Sequence, residues 1–400
     1  MKIFTQKLNH TTRVNTSCST QSRFVGSVVI LLVGIFLLAS TAQAVPAFAR
    51  KHQMQCSNCH TAFPALNAAG RTYKENGFRF SNEDDKSFMS WDQTLPLSVV
   101  IKARPYEKQE GKAKTLRALH EVELIAAGVM GKQFSGFFEF EAEDDAGTFA
   151  PSMPVADLTY HVNPSANVQV SWAPILWSDP YATYSDARKL TRNRTSVIDS
   201  AFGGTGGKLR KPSQNINLYG RVAEQFFYSV GISGVTGDDV ASDSTVTSAR
   251  VAMDVTPNIM VGLLNISGTC KSSEASCAVN RDFSRSAIDA QANFGDINVK
   301  GAYLTATDDN AAATADVKNN AAYVEASYVI KKDGRPSLVP LVRLDQAEKN
   351  DGADKVNVYV LQLNHYFTEN GRAFIEYQST DDDTKADTVS KITLQADVAF

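Results

Sequence analysis

The sequence predicts an all-β protein, a transmembrane antiparallel β-barrel of about sixteen strands, with a small α-helical segment ahead of it. Three observations point there. From about Leu95 onwards apolar residues recur at every second position, most plainly where Ile392, Leu394, Ala396, Val398 and Phe400 alternate with Lys391, Thr393, Gln395 and Asp397. One face of such a strand meets lipid and the other meets water. Connections rich in turn formers alternate strictly with long polar ones, the pattern of a barrel with tight turns at one rim and loops at the other. The strand count is even, which brings both ends of the barrel to the same side.

Residues 1–44 come first, with Lys2, Lys7, Arg13 and Arg23, no acidic side chain, an apolar run from Phe24 to Leu38 and then Ala42-Gln43-Ala44. That is the composition of a secretory signal with cleavage after Ala44, and the run of about fifteen residues is short for a membrane-spanning helix. Removing the segment takes the formal charge from −3 to about −7, too mild to imply a nucleic-acid partner. Of the five cysteines, Cys18 lies in the signal. Cys270 and Cys277 stand in a polar loop and are expected to form a disulfide in an oxidising compartment.

Residues 45–80 carry the chemistry. Cys56 and Cys59 sit three apart with His60 following at once, which on a helical turn offers two thiols to one porphyrin edge and an imidazole to its iron. The motif therefore predicts one covalently attached haem c, with Cys56 and Cys59 as thioether residues and His60 as proximal ligand. A redox or structural disulfide is the competing reading. Pro64 is placed to begin a helix whose face carries Leu66, Ala69 and Tyr73, with Asn76-Gly77 as its stop. About fifty residues between Val45 and Leu95 are too few for an independent core, so this segment needs the haem or a neighbour to fold.

The run Pro46, Phe48-Ala49-Arg50, Cys56, Cys59-His60, Pro64, Leu66, Gly70-Arg71 and Gly77-Phe78 resembles the start of the outer-membrane monohaem cytochrome-porin fusions. The likeness covers positions 46 to 80 and continues beyond them only as architecture. It implies a cytochrome joined to a β-barrel and, by analogy with the best known members, oxidation of extracellular ferrous iron. The sixth iron ligand stays open among Met89, Met54, His52 and an empty position. Arg50 and Arg71 are candidates to pair with haem propionates.

A linker at 81–94 leads to the barrel at 95–400, with strands expected near 95–104, 132–142 and 155–162 among others. Tight turns are expected at Asn163-Pro164-Ser165-Ala166, Thr256-Pro257-Asn258, Gly295-Asp296, Lys332-Asp333-Gly334-Arg335 and Thr368-Glu369-Asn370-Gly371, and the longest loop from about Leu176 to Gln214. Glu139, Glu141 and Glu143 would share the inner face, as partners for inner arginines or within reach of a hard cation. His120, His161 and His365 fall in strands as ordinary side chains. Gly203 to Lys208 reads as flexible loop because no strand and helix flank it.

The haem segment is expected to enter the lumen as a plug, or else to hang below an open pore. Together these readings predict an electron conduit in the outer membrane that accepts electrons from an extracellular donor, ferrous iron by the resemblance, and passes them to a periplasmic c-type cytochrome or other carrier. A diffusion porin with a haem-bearing plug and a terminal reductase of an external acceptor are the alternatives.

Overall fold

The computed structural model describes residues 46–80, 97–145, 148–199, 209–234, 245–270, 280–309 and 315–400. The signal segment, the linker with Met89, the glycine-rich stretch from Gly203 and the Cys270–Cys277 pairing lie outside those residues.

Sixteen antiparallel strands close into a barrel, as the alternation predicted. They are β1 (Leu97–Gln109), β2 (Thr115–Val129), β3 (Phe134–Asp145), β4 (Thr148–Asn163), β5 (Ala166–Pro174), β6 (Pro212–Val222), β7 (Phe226–Ser233) and β8 (Val246–Thr256). Then follow β9 (Ile259–Cys270), β10 (Arg281–Phe294), β11 (Ile297–Asp308), β12 (Val317–Tyr328, resumed at Ile330–Lys332), β13 (Arg335–Lys349), β14 (Asp354–Thr368), β15 (Gly371–Asp382) and β16 (Val389–Ala399). β16 pairs with β1, Leu394 opposite Tyr106 and Val398 opposite Ile101, which leaves no free edge. Closure is what allows a sheet to sit in hydrocarbon, because every strand then finds its hydrogen-bond partners within the protein.

The two faces divide as the period-two pattern requires. Leu263, Ile288, Leu344 and Leu361 point outwards, each more than half exposed. Arg250, Arg285 and Arg343 point inwards and are fully buried. On β16, Ile392 and Leu394 are exposed while Thr393, Gln395 and Asp397 are buried. An apolar outside around a charged inside inverts the soluble pattern, and it matches lipid outside and a polar lumen.

All five tight turns fall where the turn formers stand. Strict alternation of short and long connections does not hold. Only residues 146 and 147 separate β3 from β4, and only 350–353 separate β13 from β14, both at the loop rim. The strands there outrun their apolar segments: β1 continues to Gln109, and β4 starts at Thr148 rather than near 155. The period-two signal fails over these added residues: Glu107-Lys108-Gln109 is polar throughout, and Pro151 and Pro154 interrupt the start of β4.

The outward face fixes one expectation. Ile288→Arg, in the middle of β10, should lower unfolding stability in phospholipid vesicles by about 2–4 kcal/mol, read from denaturant titration of intrinsic fluorescence.

Candidate functional site

Residues 46–80 form a compact segment packed against the inner wall. Helix α1 (Pro46–His52) begins at a proline, whose missing N–H costs nothing at a first turn. It ends in Arg50, Lys51 and His52, which suit the negative end of the helix dipole. Cys56–Asn58 make one tight helical turn, closed by Cys59 N donating to Cys56 O at 3.0 Å. The helical turn expected for the motif is therefore present. His60–Ala62 then pairs with Ala65–Leu66 as a short hairpin.

Pro64 does not start a helix; it lies in the turn of this hairpin. Helix α2 (Ala68–Glu75) starts four residues later because Asn67 caps it, its side chain accepting from Gly70 N at 3.0 Å. Ala69 is exposed, and the covered positions are Gly70, Arg71, Tyr73 and Glu75. The same Asn67 donates to Ser57 O and Asn58 O at 3.2 and 3.1 Å, and its backbone N–H donates to Cys59 O at 3.0 Å. A side chain at Gly70 would stand 2.1 Å from Cys59 O. Asn67 and Gly70 thus lock the Cys56–Cys59 turn onto α2.

Several contacts fasten the segment to the barrel. Ala47 N donates to Ser98 Oγ at 3.3 Å, and Arg50 donates to Leu97 O at 2.8 Å. Cys56 N donates to Glu369 Oε2 at 2.7 Å, in the turn between β14 and β15. Arg221 holds Glu75 with two hydrogen bonds of 2.5 and 2.7 Å and reaches Asp254 at 2.7 Å. Lys74 donates to the carbonyls of Trp177 and Asp179 and lies over the Trp177 ring, and burial pushes its amine well below its usual range. Gly77, at φ +69°, passes so close to Ser135 and His161 that a Cβ there would meet both.

From the other rim, residues 175–199 and 209–211 of the long loop fold inward, with helix α3 at Ser196–Asp199. Sequence reasoning located this loop but not its direction. Arg343 donates to Thr191 Oγ1 and Asn193 Oδ1, both at 2.6 Å, while Arg372 and Gln362 donate to Leu190 O at 2.9 and 2.7 Å. Glu376 accepts from the backbone N–H of Arg192 at 2.6 Å and of Asn193 at 3.0 Å, and Asp345 accepts from Ser196 N at 2.8 Å. Ala62 and Leu190 pack together with Val329, Leu341 and Tyr366, so segment, loop and wall share one apolar cluster.

Between segment, loop and wall lies a cavity of about 910 Å³. Cys56, Cys59 and His60 line it, as do Met54 and His52. His60 Nδ1 faces Pro64 O at 3.3 Å, so the ring proton belongs on Nδ1 and the Nε2 lone pair is left for a ligand bond. Burial lowers its pKa to about 4, and the Arg188 charge adds to that effect, keeping the imidazole neutral. Burial raises the Cys59 thiol, the opposite of an activated redox thiolate. His52 Nε2 is bonded to Tyr73 OH at 2.9 Å, whereas Met54 is exposed.

The rest of the wall is aromatic, acidic and basic in separate sectors. Phe48, Phe78, Phe137 and Trp177 follow one another at ring-centroid separations of 5.4, 5.9 and 5.0 Å. Glu139, Glu141 and Glu143 share the lumen face as expected, and Glu121 and Glu123 of β2 join them, a pairing invisible without the register of β2 on β3. Carboxylate oxygens of Glu121, Glu123 and Glu141 lie within 4.8 Å of one another, and Lys102 bonds both Glu121 and Glu123. Opposite charge comes from Arg104 and from Arg188, Lys189, Arg192 and Arg194 of the inward loop.

Arg50 and Arg71 do not line this cavity; Arg71 is buried over the Tyr181 ring, beside a separate space of about 70 Å³. His120 is buried against Asp144 at 2.6 Å and faces the main cavity, while His161 bonds Ser135 and Asn167, both at 2.7 Å. His365 faces outwards.

Fold and filled lumen together define a class, the sixteen-strand porin-type barrel with its interior occupied by its own chain. Solved porin structures share that fold. An anion-selective porin from Comamonas acidovorans superimposes with TM-score 0.59 at 13% identity, over 76% of this chain and 98% of that one. OmpT of Vibrio cholerae, an outer membrane protein, in its trimer form gives 0.58 at 13% over 76% and 98%. Salmonella typhi OmpF in complex with daunomycin gives 0.57 at 11% over 77% and 98%. No protein-family model matches the chain, and no curated protein does.

Two expectations follow from these contacts. Glu75→Gln removes the segment's carboxylate while Asp254 still partners Arg221, so amide exchange over 68–80 should speed up at least tenfold, about 1.4 kcal/mol. Burial alone would raise the Asp186 pKa, but Lys189 and Arg194 outweigh it and hold the carboxyl well below its ordinary value of 3.8. A depressed carboxyl stabilises above its unfolded value and loses that effect only as pH falls through the folded one. Exchange over 185–189, corrected for intrinsic rate, should therefore stay level from pH 7 to about pH 4 and rise in Asp186→Asn throughout that window.

Proposed function

We propose that this chain is an electron conduit of the bacterial outer membrane, carrying one haem c on Cys56 and Cys59 with His60 as an axial ligand. The observation that carries this reading is the placement of Cys56, Cys59 and His60 on a cavity of about 910 Å³ inside a closed barrel. That volume is at the upper end of the range of pockets for large organic ligands, about 300–1,000 Å³. The donor set fits the group: two cysteines on one helical turn, a neutral imidazole with its Nε2 lone pair available, aromatic walls, and buried guanidinium nitrogens on Arg104, Arg188 and Arg192 that lack hydrogen-bond partners. When bound, haem supplies a one-electron iron couple.

The chain's own residues do the placing. Asn67 and Gly70 fix the cysteine turn, the Pro64 carbonyl fixes the His60 tautomer, and Phe48, Phe78 and Trp177 exclude water from one side. The inward loop fills the lumen from the loop rim and the 46–80 segment fills it from the other, which in this reading is the periplasmic side. An electron leaves an external reductant, ferrous iron becoming ferric iron, and passes to a periplasmic c-type cytochrome or similar carrier. The carboxylates of Glu121, Glu123, Glu139, Glu141 and Glu143 support a cationic donor, by drawing positive charge towards the cavity.

The porin fold favours a second reading, a diffusion porin whose haem segment anchors or regulates the pore. Liposomes separate the two. A conduit reduces an enclosed acceptor from outside without passing small solutes, and a porin passes the solutes. Anaerobic stopped-flow absorbance should show the reduced α-band appearing on addition of ferrous iron, lost in His60→Ala in a barrel that still folds. Reduction by dithionite but not by ferrous iron removes that donor; absence of covalent haem leaves the porin.

A further inference from the structure

Arg104 is a buried cation on the main cavity, 3% exposed. Its Nε donates to Gln395 Oε1 at 2.9 Å, and its Nη1 is buried with no hydrogen-bond partner. Arg192 comes to the same place from the inward loop, within electrostatic range of Arg104, and its Nε is likewise buried and unbonded. Two guanidinium groups would not be held together with idle donors unless something anionic satisfied them, because a buried cation with an unused N–H carries its full desolvation penalty. Glu107 and Glu121 lie within electrostatic range of Arg104 but do not bond its Nη1: Glu107 accepts Thr393 Oγ1 at 3.3 Å, Glu121 is held by Lys102, and Glu376 accepts the Arg192 and Asn193 backbone N–H groups.

Position says which anion. A haem held by thioether bonds at Cys56 and Cys59 would present its vinyl edge there and its two propionates on the opposite edge. Cys56 N donates to Glu369, one residue before Asn370 and two before Gly371, which pairs with Val398 of β16. Gln395, which holds Arg104, is three residues further along β16, about 10 Å of strand. Glu376, which holds the Arg192 backbone, pairs with Thr393, two residues beyond Gln395 on β16, so both arginines stand roughly a porphyrin's breadth from the cysteine turn, on the same cavity.

We propose that Arg104 and Arg192 are the clamp for the two haem propionates, one arginine from the barrel wall and one from the inward loop. This rests on the haem reading above. The clamp ties the loop to the cofactor as well as to the wall, and two cations at that edge favour the reduced, less positive iron.

The test uses the full chain in detergent. Arg104→Gln and Arg192→Gln should each shift the haem propionate bending band in the resonance Raman spectrum and shift the iron couple about tenfold towards the oxidised form, a midpoint about 59 mV lower. Arg104→Lys and Arg192→Lys, which keep the charge and lose the fork, should restore most of the potential but not the band. They also provide a readout if a glutamine variant fails to fold. Bands unchanged in folded, haem-bearing variants overturn the clamp and leave the haem reading intact. An unchanged band with a potential that moves on adding inorganic phosphate assigns the pair to a diffusible anion, and likewise overturns it. A parent chain without covalent haem sinks the underlying reading instead.

Discussion

Closure of the sheet between β1 and β16 is the constraint on which the rest depends. Backbone groups in hydrocarbon have no water to bond, so a spanning sheet must have no edge. Once sixteen strands satisfy that condition, the interior is too wide for side chains alone to fill. Something has to occupy it, or water will.

Here the chain itself occupies it from both rims. The segment at 46–80 is too small to bury a core, and the missing surface comes from Arg221, Glu369 and Tyr366 of the barrel and Trp177 of the inward loop. The inward loop has the opposite problem, a long backbone with many polar groups and few ladder partners. Wall side chains supply them: Arg343, Arg372, Gln362, Glu376 and Asp345 take up the loop's carbonyl and N–H groups one by one. Removing either half of such a buried charged contact strands the other, which is why these inner arginines hold the loop in one place.

The barrel was legible in the sequence because lipid imposes a local rule, one apolar face per strand, and a local rule leaves a local pattern. Strand ends were not legible, because Glu107 to Gln109 carry no apolar alternation and Pro151 and Pro154 read as breakers at the start of β4. The α2 start was misplaced because Pro64 and Asn67 both carry helix-start signals, and only the hairpin at His60–Leu66 decides between them. What joins β2 to β3 on the lumen face, Glu121 and Glu123 beside Glu141, depends on register and has no signature in either strand alone. The inward course of the loop left one overlooked trace: Val246, Leu264, Ile266 and Leu304 are apolar on the side that should be polar, because Leu176, Val197 and Ile198 of the loop cover them.

On the conduit reading, the same filling that closes the pore to solutes is what makes a haem useful there. An open lumen would let a soluble reductant and its product diffuse through, and no cofactor would be needed to carry charge across. Filled from both rims, the lumen keeps a cavity with charged walls, carboxylates on β2 and β3 and the basic side chains of the inward loop. Electrostatic terms inside so enclosed a space are stronger than in solution, so the balance between Glu121, Glu123 and Lys102 on one side and Arg104, Arg188 and Arg192 on the other becomes the main control over the potential of any redox group held between them. Fold, plug and redox tuning then have one physical origin, a closed sheet whose interior must be filled by charged groups that satisfy one another.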